Sequence, residues 1–473
     1  MDLRAWIEEV KARGDLGEIT GADADREIGV MADLLQERME GQALLFREIP
    51  GYPPEHRILT NTMCSVRRLA YTLGLPSGLE GMPLVAAIKD GWDRVQPVHL
   101  NWVEKGPVQE NFTQGDEVDL LTLPVPRLHE LDGGRYLGTG CVVIMQDPES
   151  NWINVGTYRV MVSDARTCMI HIVEGRHGGY IRNKYWAKGE ACPIVIASGG
   201  DPLLYLLASM ELPWGENEME WAGGWRGEAM TVVRGPKTGL PVPAAAEIAL
   251  EGFLPPDKKR SEGPFGEWRG YYSAAGKEEP VVEVASLLHR DDPILLASVP
   301  RVPPNDTTYP RGFLRAALVW HQLTQAMVPG ITGCWIMPWG GDRPFLTVSV
   351  QQLYPGHARQ AGLMAANCPA FNYGGVVVVV MDSDIDITNH EQVFWALSTR
   401  LNPDKDFQVL PGTWGNPVFR GAGGETPGFS SRVVIDATIP WENRKKIPPL
   451  TKPSPEWAQR VRTKWPQFFA RKG

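Results

Sequence analysis

Between residues 42 and 300, glycine and proline cut the chain into short β-type runs, and that punctuation limits the folds open to it. Runs such as Gln42–Phe46, Cys141–Met145, Pro193–Ala197 and Pro280–Val284 are separated by Gly/Pro turns. Short strands at such spacing predict a barrel or sandwich core carrying inserted helices. The chain holds 50 Gly and 40 Pro in 473 residues. That is turn-rich, but below the roughly 25–30% Gly plus Pro that marks low-complexity disorder. With 43% hydrophobic residues and 17 Trp, large cores are within reach. At roughly 100–200 residues per domain, two or three domains are expected.

Outside this stretch the period is helical. Asp2 stands where a helix N-cap belongs, and Leu3, Trp6, Ile7 and Val10 fall on one face. A second helical pattern covers 23–38. From Thr308, the residues Phe313, Leu314, Ala317, Leu318, His321, Gln322 and Met327 recur at three and four, which predicts a connecting helix. Beyond it the pattern reads strand (Phe345–Val350), helix (His357–Ala366), strand (Val376–Val380) and helix (His390–Thr399). Such alternation predicts an α/β unit and so a second domain. Residues 402–432 read as Gly/Pro-rich loop, including Gly421-Ala-Gly-Gly424. The tail offers Ser454 as N-cap, Pro455 at the first helical position, and Trp457, Val461 and Trp465 four apart. A face so rich in Trp is expected to dock, on its own domain or on a partner subunit.

Several function classes drop out. The 47 Lys and Arg against 56 Asp and Glu give a mild net charge of −9 with no long basic tract, so nucleic acid is not an expected partner. No stretch approaches the roughly 20 apolar residues that span a bilayer. The first residues lack an apolar core and carry Glu8 and Glu9, so no secretory signal is expected. Six cysteines lie far apart with no CxxC, as expected for reduced, buried thiols of a cytoplasmic protein. Walker, Rossmann and GxSxG motifs are all absent, and the nine histidines form no HExxH.

The carboxylates are more informative. Glu262-Gly-Pro-Phe-Gly-Glu267 places two glutamates five apart around a turn, beside Trp268, Tyr271 and Tyr272. Two readings fit: a solvated turn, or a pair of half-buried carboxyls, one with a raised pKa suited to general acid work. In Asn154-Val-Gly-Thr-Tyr-Arg159, Asn offers a hard oxygen, Gly156 lets a ligand approach the backbone, and Arg159 can fork onto a carboxylate. Glu174-Gly-Arg-His177-Gly-Gly and Glu216-Asn-Glu218-Met-Glu220 add imidazole and further carboxylates. That mixed set suits manganese or magnesium better than zinc.

In this order and spacing, the segments resemble the UbiD family of prenylated-flavin-dependent decarboxylases. Leu123-Pro-Val-Pro-Arg127 with Asp132-Gly-Gly, Val242–Gly252, Asp384-Ile-Asp386 with Trp395–Arg400, and Ile435-Asp-Ala437 extend the likeness over nearly the whole chain. The resemblance implies a multi-domain α+β fold. A split β-barrel flavin-binding domain would span 1–305 and a hinge helix 306–330. An α/β oligomerisation domain would follow at 331–432, with a C-terminal helical tail at 433–473 docking on a partner subunit.

The resemblance also implies roles. Asn154, His177 and Glu218 match the ligands of a divalent metal, Mn2+ or Mg2+, that grips the flavin phosphate, with Glu216 and Glu220 as alternatives to Glu218. Asn154, Val155, Gly156, Thr157, Tyr158, Arg159, Arg176, His177, Ser209 and Met210 match the cofactor-binding positions of prenylated FMN. K+ would be held by carbonyls of Val155, Ala208, Ser209 and Met210. Arg159, Glu262 and Glu267 match the catalytic network, with Arg159 near the substrate carboxylate and Glu267 as proton donor. The implied activity is reversible, non-oxidative decarboxylation of an aromatic, heteroaromatic or α,β-unsaturated carboxylic acid through a covalent adduct with the flavin. Two alternatives are a subunit acting on a thioester-linked or phosphorylated aromatic, and a non-catalytic flavin-binding assembly subunit. Implied partners are further copies of the chain, as a homodimer or higher homo-oligomer, and a flavin prenyltransferase as cofactor supplier. Two departures stand out. Cys368-Pro-Ala370 carries no lysine where some members contact the phosphate. Ile331–Trp339 is rich in aromatics that could face a flat substrate or belong to the core.

Overall fold

A computed structural model describes residues 1–469 except 38, 274, 416–428, 447–450 and 452. The opening helix is Leu3–Ala12. The Asp2 carboxylate caps it by accepting from the Ala5 N–H at 2.8 Å, and Leu3, Trp6, Ile7 and Val10 are its buried face. The second helix, Ile28–Gln36, is shorter than the predicted 23–38 because residues 24–27 form turns instead.

The first lobe is built on one large sheet. Its path runs Arg135–Gly138, Arg159–Asp164, Thr167–His171, Lys277–His289, Ile248–Leu254, Cys192–Ser198, Cys141–Gln146 and Ile153–Gly156. Every neighbouring pair on that path is antiparallel. Strands Asn111–Gln114 and Lys259–Glu262 also join the long Lys277–His289 strand. The path curls into a half-barrel, because the short Gly138–Cys141 corner carries the chain from one end of the path almost to the other. Only glycine fits at 138, where a Cβ would stand 2.4 Å from the Tyr158 carbonyl oxygen.

Strand alternation sorts the two faces. Val160 and Ile170 point into an apolar core with Val143, Ile194 and Leu250. On the opposite face Arg159 pairs across the ladder with His171, and Met161 with Tyr136 and Met169. That second face carries a small cluster of Tyr136, Met161, Met169, Val281 and Phe265. One polar cation is therefore placed among apolar neighbours by strand register.

The connecting helix, Thr308–Gln325, buries Phe313, Leu314, Ala317 and Leu318. The third and largest core gathers residues from Leu3 to Ala437 and so joins both lobes through this helix. The second lobe is a five-stranded sheet ordered Ile331–Ile336, Phe345–Val350, Val377–Asp382, Phe429–Asp436, Phe407–Trp414. Phe345–Val350 and Val377–Asp382 are parallel, and helix His357–Asn367 makes the crossover such a pair requires. Helix His390–Arg400 follows.

The loop expected over 402–432 is corrected. It holds a short helix, Pro403–Asp406, and strand Phe407–Trp414, while strand Phe429–Asp436 begins within it and runs past its end. Pro411 and Gly412 obscured the first strand, where they sit at a register break between Leu410 and Thr413. Gly421-Ala-Gly-Gly424 lies outside the described residues. The tail helix is Pro455–Lys464, with Ser454 Oγ accepting from the Trp457 N–H at 3.2 Å. None of its residues is buried among the described residues: Trp457 is 73% exposed and Trp465, just past the helix, 46%. All six cysteines are buried and unpaired. Among the described residues no helix is long and apolar enough to cross a membrane.

Candidate active site

Arg159 opens its strand on the face covered by the 262–272 loop. Its Nε and Nη2 donate to the two Glu262 oxygens at 2.9 and 2.7 Å, and Nη1 donates to Glu267 Oε1 at 2.5 Å. The Tyr136 hydroxyl donates to Glu262 Oε1 at 2.8 Å. All four groups are buried, and Phe265 covers them, with its ring 5.4 Å from the Arg159 guanidinium. Burial, larger than the opposing pull of Arg159, raises the Glu267 carboxyl above its ordinary range. The solvated-turn reading of this segment is thereby set aside.

Asp132-Gly-Gly134 holds the loop in place. Asp132 Oδ1 accepts from the Gly266 N–H at 2.8 Å, and Gly133 N–H donates to the Pro264 carbonyl at 2.7 Å. A Cβ on Gly133 would lie 2.1 Å from the Gly263 carbonyl oxygen, and one on Gly266 2.4 Å from the His129 ring. Two glycines and one aspartate thus set where both glutamates stand.

A second cavity gathers Asn154, His177 and Glu218. Asn154 lies in edge strand Ile153–Gly156, while His177 and Glu218 each begin a helix, His177–Ala187 and Glu218–Arg226. Glu218 accepts from the Asn154 amide at 3.1 Å and from the Val155 N–H at 2.7 Å. Its burial pushes the carboxyl up to about 8. Burial, with Arg176 beside it, pushes His177 down to about 4, which leaves a neutral imidazole with a free lone pair at neutral pH. A buried carboxyl with no ion-pair partner, which a dication would hold deprotonated, a neutral imidazole and an amide oxygen are the donor set a hard dication takes, so these residues fit such an ion. Among the described residues no three His, Cys, Asp or Glu side chains gather as a metal site, so an ion here would need the Asn154 amide oxygen as its third ligand. The alternatives point away: Glu216 accepts from the Trp221 indole at 2.8 Å, and Glu220 pairs with the exposed His99 at 3.1 Å.

Tyr158 and Arg176 line both cavities and join them into one cleft. Val155, Gly156, Ala208 and Met210 line the Glu218 end, and Thr157, Arg159 and Ser209 line the Glu267 end. The segment that lacks a lysine also reaches the Glu218 end, through Pro369 and Asn372; the cation present there is Arg176.

Sequence reasoning missed the residues that close the cleft from the second lobe. Glu211 accepts from Arg176 at 3.0 Å, Arg315 at 2.7 Å and Arg343 at 2.6 Å. Although burial opposes it, these three cations hold its carboxyl well below the usual range. Asp342 pairs with Arg315 at 2.6 Å, and the Tyr373 ring lies between Arg176 and Arg343 at 5.4 and 5.3 Å. No local pattern signals this knot, since its members come from five separate segments. The aromatic lining is also revised. Trp335 packs against Phe313 at 5.2 Å and Trp339 is 68% exposed, whereas Phe265, Trp268 and Tyr373 line the Glu267 end.

Comparison with known proteins agrees with this layout. Profiles of the 3-octaprenyl-4-hydroxybenzoate carboxy-lyase N-terminal, Rift-related and C-terminal domains match residues 7–87, 101–303 and 308–437. A pyrrole-2-carboxylic acid decarboxylase of Pseudomonas aeruginosa is 32% identical over 464 residues, covering 93% of this chain and 91% of its own. A phenolic acid decarboxylase of a Streptomyces species is 32% identical over 456 residues, covering 93% and 92%. Vanillic acid decarboxylase of Sedimentibacter hydroxybenzoicus, in its closed form, superimposes with a TM-score of 0.88 at 28% identity, covering 98% of each chain. The UbiD-class enzyme HmfF of Pelotomaculum thermopropionicum, solved in complex with FMN, gives 0.83 at 28% identity, covering 97% and 98%. With all three domain profiles matched in order along one chain, the protein belongs to the UbiD family.

Proposed function

We propose that this protein is a reversible, non-oxidative decarboxylase of an aromatic or heteroaromatic acid that works with prenylated FMN. The observation that carries the reading is the buried Arg159–Glu262–Glu267 cluster at one end of a cleft whose other end holds Asn154, His177 and Glu218. The relatives' named substrates, pyrrole-2-carboxylic and phenolic acids, are flat unsaturated acids, and the aromatic lining of the Glu267 end suits such rings. The flavin, when bound, supplies the electron sink that decarboxylation needs.

This chain's residues do the rest. Asn154, His177 and Glu218 would hold a divalent ion against the phosphate, and the N-terminus of helix His177–Ala187 adds its own attraction for an anion. K+ at the Val155, Ala208, Ser209 and Met210 carbonyls belongs to the same reading. Glu262, locked by Arg159 and Tyr136, fixes the guanidinium so that its remaining N–H bonds face a substrate carboxylate. Glu267 keeps a proton on Oε2, because Oε1 is engaged by Arg159 and burial disfavours the charged form. It delivers that proton to the carbon that loses carbon dioxide. The residue ranges 1–305, 306–330, 331–432 and 433–473 serve as flavin-binding lobe, hinge helix, oligomerisation lobe and docking tail.

The test is production together with a flavin prenyltransferase, followed by incubation with aromatic acids and bicarbonate in deuterated buffer. Deuterium should enter the product at the carbon that bore the carboxylate, alongside release of carbon dioxide. A flavin-loaded protein that exchanges no acid in the panel would sink the proposal.

A further inference from the structure

Arg311 stands apart from the other arginines of the cleft. It sits in the first turn of helix Thr308–Gln325 and lines the Glu267 end with Thr307, Trp268 and Phe265. Its neighbours are already paired. Arg159 is held by Glu262 and Glu267, and Arg176 and Arg343 by Glu211. Asp342, the nearest acid on the same wall, is taken by Arg315 at 2.6 Å and lies 3.7 Å from Arg343. Among the described residues no carboxylate forms an ion pair with Arg311; Asp342 attracts it only from beyond contact distance, and its ring contact is Tyr205, 5.9 Å away.

Around that wall Arg176, Arg311, Arg315 and Arg343, with Arg269 close to Asp342, thus set five cations against two acids, Glu211 and Asp342. A buried surplus of positive charge is costly unless an anion meets it. The flavin phosphate is poorly placed to be that anion, because Arg311 does not line the Asn154–His177–Glu218 end. What reaches the Glu267 end is the substrate.

We infer that Arg311 is a specificity-determining residue that binds a second carboxylate on the substrate ring, so that the preferred substrates are aromatic dicarboxylic acids. This rests on the decarboxylase reading above, in which the carboxylate to be lost lies at Arg159. The second group stays on the product and forms a charge-assisted, two-pronged pair with the Arg311 fork.

Binding tests this separately from turnover. Benzoate and the benzene-1,3- and 1,4-dicarboxylates are titrated calorimetrically into full-length protein produced with a flavin prenyltransferase. At least one dicarboxylate should bind roughly ten-fold tighter than benzoate. Arg311→Gln should bring that ratio close to one, and Arg311→Lys should keep part of it. Equal affinities in the unsubstituted protein overturn the inference without any variant. So does an Arg311→Gln protein that weakens all three acids alike, or one that loses flavin while keeping the dicarboxylate preference. If the preference stands and no acid is ever exchanged, the subsite survives and the decarboxylase reading falls.

Discussion

Glu267 shares Arg159 with Glu262, and that sharing sets what its replacement does. Gln is nearly isosteric and can still accept from Arg159, so Glu267→Gln should fold and keep flavin while decarboxylation drops by roughly 10²–10⁴-fold. Retained turnover would remove Glu267 as proton donor. The same variant reads out the raised pKa. From about 4.5 upward, an unfolded glutamate gives up its proton while the buried one keeps it. The folded state therefore binds more protons, and its stability falls as pH rises through the raised value. The melting temperature of Glu267→Gln, compared with the unsubstituted protein, should climb over that window. A difference that stays flat with pH would show that burial is not the governing cause.

At the scale of elements, the 262–272 loop is set by contacts too close for any side chain. Gly133→Ala would press a methyl group onto the Gly263 carbonyl, 2.1 Å away. The expected cost is about 1–3 kcal/mol in chemical denaturation, with kcat down on the order of 10²-fold because the glutamates shift. Metal and flavin content should hold, since the other end of the cleft is untouched; losing them as well would mean the loop supports the whole site. Much of this was legible in the sequence. Asn154, Arg159, Glu262 and Glu267 stand out by side-chain chemistry beside glycine-rich turns and by the family resemblance of their segments, and the bounds expected for strand Phe345–Val350 match the structure. What stayed hidden is long-range. Arg343 and Glu211 meet across 132 positions, and no local periodicity encodes such a pairing. Strand Phe407–Trp414 was lost because Pro and Gly at a register break look like a loop.

For the molecule as a whole, Glu211 is where the lobes are tied. Glu211→Gln would leave Arg176, Arg315 and Arg343 sharing no carboxylate at that point, and should destabilise the protein by about 3–5 kcal/mol in urea unfolding. A loss below 1 kcal/mol would mean water or Asp342 takes over. The exposed aromatic face of helix Pro455–Lys464 is proposed to pack on a second copy. Deleting 454–473 should therefore lower the assembly mass by light scattering, and an unchanged mass would exclude the tail from assembly.

The three-arginine knot also bears on time. Arg176 and Glu211 both belong to the first lobe, and Arg343 ties Glu211 to the second. Drawing the second lobe away from the cleft would have to break the Glu211–Arg343 pair. Cofactor exchange would then be paced by lobe opening, which would make the loaded protein a long-lived species that is filled once and used many times.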